Sequence, residues 1–380
     1  MLRINDVDIS NKKVLIRVDF NVPIVNGKII DTTRIYASIE TIKYALDQNA
    51  AIILMSHLGD PNANIEAADQ YLSLQIVVPI LENILHKPVN FIKDWFNENQ
   101  INVNCGEIVL CENIRLTPKE QQNDIHFSKK LAGFADIIIM DAFASAHRKH
   151  ASTYGILNYA KIAAAGLLLH LEVVTLQQVL LKPIRPLVAV VGGAKISTKL
   201  KVLQSLSKIV DYLIVGGAIA NTCLLAKGYN VGVSLIDHKF LGVAKELGNI
   251  MLPEDAMVLN ATGAIEQKDI QSIGNLDCIL DLGKKTIAKY QSILHQANTI
   301  LWNGPVGKTS DPRFVNGTKC IAETIGLNRG LSIAGGGDTL AIIKQHNLHG
   351  FSYMSTGGGS FLEFIENHTL PMIELLNKFG

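Results

Sequence analysis

The chain has 380 residues, enough for two domains or one large one, and 48% of them are hydrophobic against 18% charged. This composition is typical of a globular protein with a large core. The net charge of +1 excludes the general basic character of a nucleic-acid-binding or membrane-surface protein. The start, Met1–Asp8, lacks the apolar core of a signal peptide, and no apolar segment is long enough to span a bilayer. The five cysteines are scattered and without C-x-x-C, so we expect reduced thiols, no zinc site and a cytoplasmic location.

Short apolar segments typical of buried strands alternate with helix-compatible stretches along the whole chain. In the first half we predict strands at Val14–Val18, Ala51–Met55, Ile108–Cys111 and Ile137–Met140. Polar and basic residues follow these strands, and parallel strands present their carboxyl ends at one edge of a sheet. These residues are Asp19, Asn21, His57, Arg115, Asp141, His147 and Arg148, with Arg34 after the Asn26-Gly27 turn.

Arginines and a histidine at one edge of a sheet would form a basic pocket for a small polyanion. The planar guanidinium group suits this task because it binds carboxylate and phosphate groups bidentately. Each residue alone is better explained as a surface arginine with an acidic partner or as a structural histidine. Their repeated position after strands favours the pocket.

A stretch with helical apolar spacing, His170–Leu181, precedes Pro183 and Pro186. Because proline ends a helix at or before the preceding residue, we predict a linking helix at 169–182 between domains at 1–168 and 183–366. The alternative, a single sheet that contains all strands, would need nine or more of them.

In the second half we predict strands at Val188–Val191, Tyr212–Val215, Thr299–Trp302, Ser332–Ala334 and Phe351–Met354. Glycine follows four of these five strands, at 192–193, 216–217, 335–337 and 357–359. Backbone N–H groups at the helix starts can then line a phosphate site, and Asp338 is suited to hold Mg²⁺. The alternative for each glycine run is a tight turn.

Lys195 and Lys199 follow Gly192-Gly193 and share one face of a helix-compatible stretch, where they would add positive charge to the phosphate site. This sequence is not a Walker motif, and an ordinary turn with two solvated lysines is the alternative. No G-x-G-x-x-G follows the opening strand, which disfavours a dinucleotide-dependent dehydrogenase. A basic half-site and a glycine-rich half-site indicate phosphoryl transfer across a cleft, with a hinge that closes and excludes water.

Several longer motifs occur in a fixed order: Arg17-Val-Asp-Phe-Asn-Val-Pro23, Ser56-His-Leu-Gly59, Asp141-Ala-Phe143, Ala146-His-Arg148, Gly192-Gly-Ala-Lys195, Trp302-Asn-Gly-Pro305, Gly335-Gly-Gly-Asp-Thr339 and Ser355-Thr-Gly-Gly-Gly359. In their order and combination the chain resembles phosphoglycerate kinases along nearly its whole length. The resemblance implies an α/β protein with two doubly wound, parallel-sheet (Rossmann-like) domains joined by a hinge helix. It implies a monomer in which residues 367–380 return to the first domain. It also implies reversible phosphoryl transfer between MgATP and the carboxylate of 3-phosphoglycerate, giving 1,3-bisphosphoglycerate and MgADP.

The resemblance also assigns residues to roles. The 3-phosphoglycerate site would comprise Asp19, Phe20, Asn21, Arg34, His57, Leu58, Gly59, Asp60, Arg115 and Arg148. The ATP site would comprise Gly193, Lys195, Lys199, Gly216, Gly217, Asn303, Pro305, Asp311, Gly336, Gly337, Asp338 and Thr339. The catalytic set would be Arg34, Lys195, Gly337 and Gly358, and Asp338 would hold Mg²⁺. A general base is not needed because the attacking carboxylate is ionised at neutral pH.

Two positions depart from the family pattern. Asp60 replaces the arginine of Ser-His-Leu-Gly-Arg-Pro, which predicts weaker binding of 3-phosphoglycerate. Ser310 stands at the place of a glutamate that contacts the ribose, and the adjacent Asp311 is the predicted substitute. These departures leave a catalytically weakened nucleotide-binding relative as one alternative. A hinged solute-binding protein is a second, disfavoured by the absent export signal and by the two lysines.

Overall fold

The computed structural model describes residues 1–60, 72–194 and 196–380. Two compact units make up the chain: unit 1 contains Met1–Val174 and Thr369–Gly380, and unit 2 contains Thr175–His368. The division falls inside the helix Leu167–Leu181, which overlaps the linking helix predicted at 169–182.

Unit 1 is built around a parallel sheet whose strands are nearly continuous apolar runs, as expected where helices cover both faces. Its strands are β1 (Lys13–Arg17), β2 (Ile24–Val25), β3 (Lys28–Ile29), β4 (Ala51–Met55), β5 (Val89–Ile92), β6 (Ile108–Cys111), β7 (Ile137–Met140) and β8 (Ala163–Ala165). Strands β2 and β3 form an antiparallel hairpin, and the others form one sheet in the order β5-β6-β4-β1-β7-β8.

The helices of this part of the chain are α1 (Thr33–Ala37), α2 (Ile39–Asp47), α3 (Val78–Leu85), α4 (Pro118–Gln121), α5 (Ile125–Ala132) and α6 (Leu167–Leu181). Residues of α2 and α3, such as Ile42 and Leu81, pack with Val14, Ile16 and Leu54 of the sheet in one hydrophobic core. In the strand order, β1 lies between β4 and β7, where the chain direction across the sheet reverses. Ligands of such sheets bind at this switch point, beyond the carboxyl ends of the strands.

Unit 2 repeats this arrangement. Its strands are β9 (Leu187–Val191), β10 (Tyr212–Val215), β11 (Ile250–Met251), β12 (Asp255–Leu259), β13 (Ile265–Asp269), β14 (Cys278–Leu282), β15 (Thr299–Asn303), β16 (Leu331–Gly335) and β17 (Tyr353–Ser355). The parallel sheet has the order β11-β10-β9-β15-β16-β17, and β13-β12-β14 form a separate antiparallel sheet. The switch point lies between β9 and β15.

The helices of unit 2 are α7 (Leu200–Ser207), α8 (Gly217–Ala226), α9 (Leu241–Glu246), α10 (Lys284–Gln296), α11 (Asn316–Leu327), α12 (Gly337–Gln345) and α13 (Gly359–Asn367). The buried Trp302 of β15 packs in a core with Val190 of β9, Tyr290 of α10 and Ile321 of α11. The final helix, α14 (Pro371–Leu376), belongs to unit 1, where Met372 N donates to the carbonyl of Ala146 at 3.1 Å.

Two parallel sheets with flanking helices confirm the predicted α/β fold class. The edge strands β5, β8 and β11 and the whole antiparallel sheet were not predicted from the sequence. Strand β8 consists of three alanines, which have low β-propensity, and β13 is a largely polar strand without a buried face. The sequence predicted that the apolar face of α6 contains Leu171, Val174, Leu176, Val179 and Leu180. This was wrong at two positions, because Leu171 and Val174 are exposed while Glu172 and Val173 are buried.

Candidate active site

Arg34 is held at the carboxyl edge of the unit 1 sheet by the loop that follows β1. Its Nη1 donates to Asp19 Oδ2 at 3.0 Å and to the carbonyl of Asn21 at 3.2 Å. Asn26 and Gly27 have positive φ angles of 49° and 70°, which fits a tight two-residue hairpin turn between β2 and β3. The hairpin is followed by α1, which carries Arg34, so a local turn brings this arginine back to the end of β1.

The loop after β4 is tied to the same edge by backbone hydrogen bonds. Gly59 has a φ of 63°, and its N–H donates to Asn21 Oδ1 at 2.8 Å. Arg115 Nη1 donates to the carbonyl of Gly59 at 2.7 Å, and Asn113 bonds both the N–H and the carbonyl of Leu58. These contacts bring the loop, Asn21 and Arg115 together, as the strand-end pattern predicted.

Arg17, the last residue of β1, is a functional candidate that the sequence analysis missed. The side chain is 2% exposed, and its Nη2 lies 3.1 Å from Nδ1 of the buried His57. Burial and the positive charge of Arg17 hold the pKa of His57 well below its ordinary value. The sequence signal for this residue was an arginine at the end of an apolar strand, where the Arg-Val-Asp-Phe-Asn-Val-Pro motif begins. An arginine buried at such a position needs hydrogen-bonding or charged partners.

The charges of Arg148 and Asp60 both act on the side chain of His150. Burial and Arg148 lower the pKa of His150 to about 4, and the carboxylate of Asp60 opposes this shift. Asp60 Oδ1 also accepts a hydrogen bond from Gln121 Nε2 at 3.2 Å. A negative side chain therefore stands among the basic residues of unit 1.

Asp141, named among the residues after strands, has a structural role instead. Its Oδ1 accepts the N–H of Leu169 at 3.0 Å, in the first turn of α6. The side chain is fully buried, and burial raises its pKa to about 7.

In unit 2 a cavity of about 260 Å³ opens at the switch point of the sheet. Its walls contain predicted nucleotide-site and catalytic residues from four strand-to-helix connections. The lining residues are Gly193, Ala194, Lys199, Asn303, Gly304, Gly336, Gly337, Asp338, Thr339, Gly358 and Leu362. Backbone N–H groups at the start of α12, which begins at Gly337, are suited to an anion in such a position.

Lys199 is the cation of this cavity. Its Nζ donates to the carbonyls of Gly192 at 2.6 Å and Asn303 at 3.3 Å. Burial lowers the pKa of Lys199 to about 8, against the raising effect of the Asp338 carboxylate. Lys195, predicted as its partner, lies outside the described residues.

Backbone atoms form the cavity wall at Gly304, because a residue without a side chain lets Gly192 and Lys199 approach closely. Gly304 has a φ of 91°, and a Cβ there would collide with the carbonyl of Gly192 and with Lys199 Nζ. Its N–H donates to Thr339 Oγ1 at 2.7 Å, which joins the connection after β15 to α12. The sequence analysis did not name Gly304, although it lies inside the Trp-Asn-Gly-Pro motif.

Of the predicted nucleotide-site residues that the structure describes, four do not line this cavity: Gly216, Gly217, Pro305 and Asp311. Gly217 N donates to the carbonyl of Val306 at 2.8 Å, so the connection after β10 packs against the one after β15. Asp311 accepts from Arg313 Nη2 at 2.7 Å and caps the short turn Pro312–Phe314 through the N–H of Arg313.

Comparison with known proteins decides the family. The family model described as "Phosphoglycerate kinase" matches residues 4–368. A curated phosphoglycerate kinase of Francisella philomiragia is 46% identical over 99% of this chain and 98% of its own length. That of Legionella pneumophila (strain Corby) is 45% identical over 100% of this chain and 98% of its own length. The chain belongs to the phosphoglycerate kinase family.

Solved structures of phosphoglycerate kinases have the same fold. That from Coxiella burnetii has a TM-score of 0.91, with 41% identity over 99% of both chains. That from Pyrococcus horikoshii OT3 has a TM-score of 0.84, with 29% identity over 99% of this chain and 98% of that one.

Membership of the phosphoglycerate kinase family makes the chain a transferase of glycolysis that uses ATP and a small-molecule co-substrate. This confirms the predicted kinase and excludes a hinged solute-binding protein. Nothing in the comparisons favours a catalytically weakened relative. In the described part of the chain, no helix combines the length and apolarity that a membrane span requires.

Proposed function

We propose that the chain catalyses reversible phosphoryl transfer between MgATP and the carboxylate of 3-phosphoglycerate, giving 1,3-bisphosphoglycerate and MgADP. The observation that carries the proposal is the cavity of unit 2, where a buried lysine and the glycine backbone at a helix start line one site in a chain of this family. The basic residues of unit 1 support the second substrate.

In unit 1, the three guanidinium groups of Arg34, Arg115 and Arg148 would neutralise the phosphate and carboxylate of 3-phosphoglycerate. Arginine is suited to both anions because its fork of N–H donors matches their pairs of oxygens. Asp19 and Asn21 hold Arg34, and Arg115 is bonded to Gly59, so much of the positive charge is fixed before the substrate binds. The remaining assigned residues, Phe20, His57, Leu58 and Gly59, would complete this site.

In unit 2, Lys199 and the N–H groups of Gly336, Gly337 and Thr339 would bind the nucleotide phosphates. The described residues contain no group of three or more His, Cys, Asp or Glu side chains able to hold a metal. Asp338, an exposed carboxylate at the cavity, fits Mg²⁺ nevertheless, because protein sites bind this ion through one or two carboxylates and substrate phosphates. The bound ion would supply charge neutralisation to the phosphates.

The chemical step needs positioning and charge compensation more than proton transfer. A carboxylate oxygen of 3-phosphoglycerate attacks the γ-phosphorus of ATP, and the bond from that phosphorus to the bridging oxygen breaks with its electron pair left on ADP. Arg34 and Lys195 would balance the charge on the transferred group, and the N–H groups of Gly337 and Gly358 would donate to its oxygens. No proton moves, because the attacking group is ionised.

A coupled assay tests this function in both directions. With 3-phosphoglycerate and MgATP, purified protein should form 1,3-bisphosphoglycerate, detected by its reduction with a coupling dehydrogenase. Lys195→Ala should abolish turnover. Binding of ATP without turnover of 3-phosphoglycerate would contradict the proposal and support the weakened relative. The monomeric state, the cytoplasmic location and the closing hinge stay predictions.

Asp60→Arg should lower the KM for 3-phosphoglycerate about tenfold, because it removes a negative charge and adds a positive one beside an anionic substrate. Asp60→Asn removes only the negative charge and should have an intermediate effect. Asp47→Arg is a control with the same change in net charge, because exposed Asp47 ends α2, shortly before the start of β4. An unchanged KM in Asp60→Arg would show that position 60 does not act on the substrate.

Asp311→Ala should raise the KM for ATP by about tenfold or more if Asp311 substitutes for the ribose-binding glutamate, the cost of one hydrogen bond to a charged group. Arg313→Ala is the matched variant, because it removes the ion pair and leaves the Asp311 carboxylate in place. That variant should not raise the KM for ATP. A lower Tm in Asp311→Ala with an unchanged KM would assign Asp311 to the turn at Pro312–Phe314 alone.

A further inference from the structure

A buried hydrogen-bond chain in unit 1 links Glu120, Ser152, Arg17 and His57. Glu120 accepts the hydroxyl of Ser152 at 2.6 Å and its N–H at 2.8 Å. Arg17 Nε donates to Ser152 Oγ at 2.9 Å, and Arg17 Nη2 lies 3.1 Å from His57 Nδ1. All four side chains are at most 2% exposed, so water does not compete for these bonds.

The chemistry of these groups determines where each proton lies. A guanidinium group has only donors, so His57 Nδ1 must accept from Arg17 and carries no proton. The single hydroxyl proton of Ser152 goes to Glu120, because Arg17 already donates to the Ser152 oxygen. Burial lowers the pKa of Arg17, and the negative charge of Glu120 opposes this shift and so favours the ionised guanidinium.

We propose that Arg17, Ser152 and Glu120 are positioning residues that hold His57 as the neutral Nε2–H tautomer, so that Nε2–H donates to an oxygen of the bound substrate. The proposal rests on the proposed function, since it deepens the role of His57 in the 3-phosphoglycerate site. Glu120 and Ser152 act through Arg17, and Arg17 acts through His57.

The neighbouring charges preserve this tautomer. Burial lowers the pKa of His57 well below its usual value, and the charges of Arg17, Arg148, Arg34 and His150 act in the same direction. A second proton on the ring would have to sit on Nδ1 and would face the guanidinium of Arg17. His57 is therefore a hydrogen-bond donor whose charge does not change between about pH 6 and 8, unlike an ordinary histidine.

Nitrogen-15 NMR of the full chain with labelled histidine tests the tautomer. The chain has 11 histidines, so His57→Gln is used to assign the His57 signals. We expect Nδ1 unprotonated and Nε2 protonated in the wild type, with the same pattern between about pH 6 and 8. A proton on Nδ1 at neutral pH, alone or together with one on Nε2, would overturn the proposal.

Ser152 variants test the positioning chain. Ser152→Ala removes the acceptor of Arg17 Nε and should raise the KM for 3-phosphoglycerate about fivefold, the effect of one hydrogen bond. The KM for ATP should stay unchanged, and the His57 nitrogens should show an altered or averaged tautomer pattern. Ser152→Thr keeps the hydroxyl, so its KM for 3-phosphoglycerate and its His57 tautomer pattern should be those of the wild type.

Ser128→Ala is the matched control, because Ser128 is equally buried in unit 1 and its hydroxyl donates to the carbonyl of Asp124 outside the chain of four residues. It should leave the His57 signals and the KM unchanged. Glu120→Gln, which keeps shape and removes charge, provides a second variant if Ser152→Ala does not fold, with the same expected changes.

Wild-type NMR signals and KM in folded Ser152→Ala or Glu120→Gln would overturn the proposal. Failure of the proposed function is distinguishable, because a protein without turnover of 3-phosphoglycerate would still report its His57 tautomer by NMR. A protein without turnover would contradict the claim that Nε2–H donates to a substrate oxygen. It would not affect the claim that Arg17, Ser152 and Glu120 set the His57 tautomer.

Discussion

Replacement of Arg34 by alanine should lower kcat for phosphorylation of 3-phosphoglycerate by about 10²–10³-fold, the effect of removing one preorganised donor to a transition-state oxyanion. Asp19 and the carbonyl of Asn21 fix the guanidinium before the reaction, so its charge is available without reorganisation. Arg34→Lys keeps the charge but loses the planar fork, and an intermediate kcat is expected. Steady-state kinetics with both substrates saturating measures these effects.

Arg3→Ala is the control for the Arg34 variants, because Arg3 also belongs to unit 1 and pairs with an aspartate, Asp6, at 2.7 Å. It should not change kcat. The Arg34–Asp19 pair is partly exposed on the arginine side but buried on the aspartate side, so its loss should also lower the free energy of unfolding. A normal kcat with only a raised KM would assign Arg34 to binding and contradict a catalytic role.

Raising the pH through about 8 should reduce kcat/KM for ATP, because this is where the free protein loses the proton of Lys199. Below this pH the ammonium attracts the nucleotide phosphates, and above it the neutral amine does not. Lys199→Arg should remove this decline, since a guanidinium stays charged throughout. Asp338→Asn should move the decline to lower pH, because the Asp338 carboxylate raises the pKa of Lys199.

Lys199→Met should lower kcat/KM for ATP at neutral pH by about 10²-fold, the upper range for a hydrogen bond to a charged group. Lys201→Met is the matched control, because Lys201 lies two residues further along, is exposed and pairs with Glu366 at 2.9 Å. The pH profile and the control together separate a phosphate-binding lysine from a structural one. A pH profile of Lys199→Arg identical to the wild type would show that another group causes the decline.

The sequence predicted most strands of the two parallel sheets, and the sheet edges that carry the candidate site residues, because the signals for these strands are local. A parallel strand covered on both faces must be continuously apolar, so β4 and β7 are recognisable from their own residues. The residue after such a strand lies at the ligand-binding edge by topology alone. Asp19, His57 and Arg115, which follow β1, β4 and β6, could therefore be named before any contact was known.

The sequence did not predict features whose partners are distant along the chain. Arg17 and Ser152 are 135 positions apart, so nothing near either residue shows that they meet. Strand β8 pairs with β7 although its three alanines have no strand preference, because the neighbouring strand supplies the hydrogen bonds. Asp311 is a different case, because its partner Arg313 is only two positions away and their pairing depends on the turn that both residues form.

By itself, the sequence of this protein determined the fold class, most strands of the two parallel sheets and the residue types at their carboxyl ends, since these follow from hydrophobic periodicity and the geometry of parallel sheets. Only the tertiary structure decided which of those residues share a cavity, which are held by a neighbour and which protonation state burial favours. Lys199 illustrates the difference: its charge and position are read from the sequence, whereas its lowered pKa depends on how the folded chain buries it.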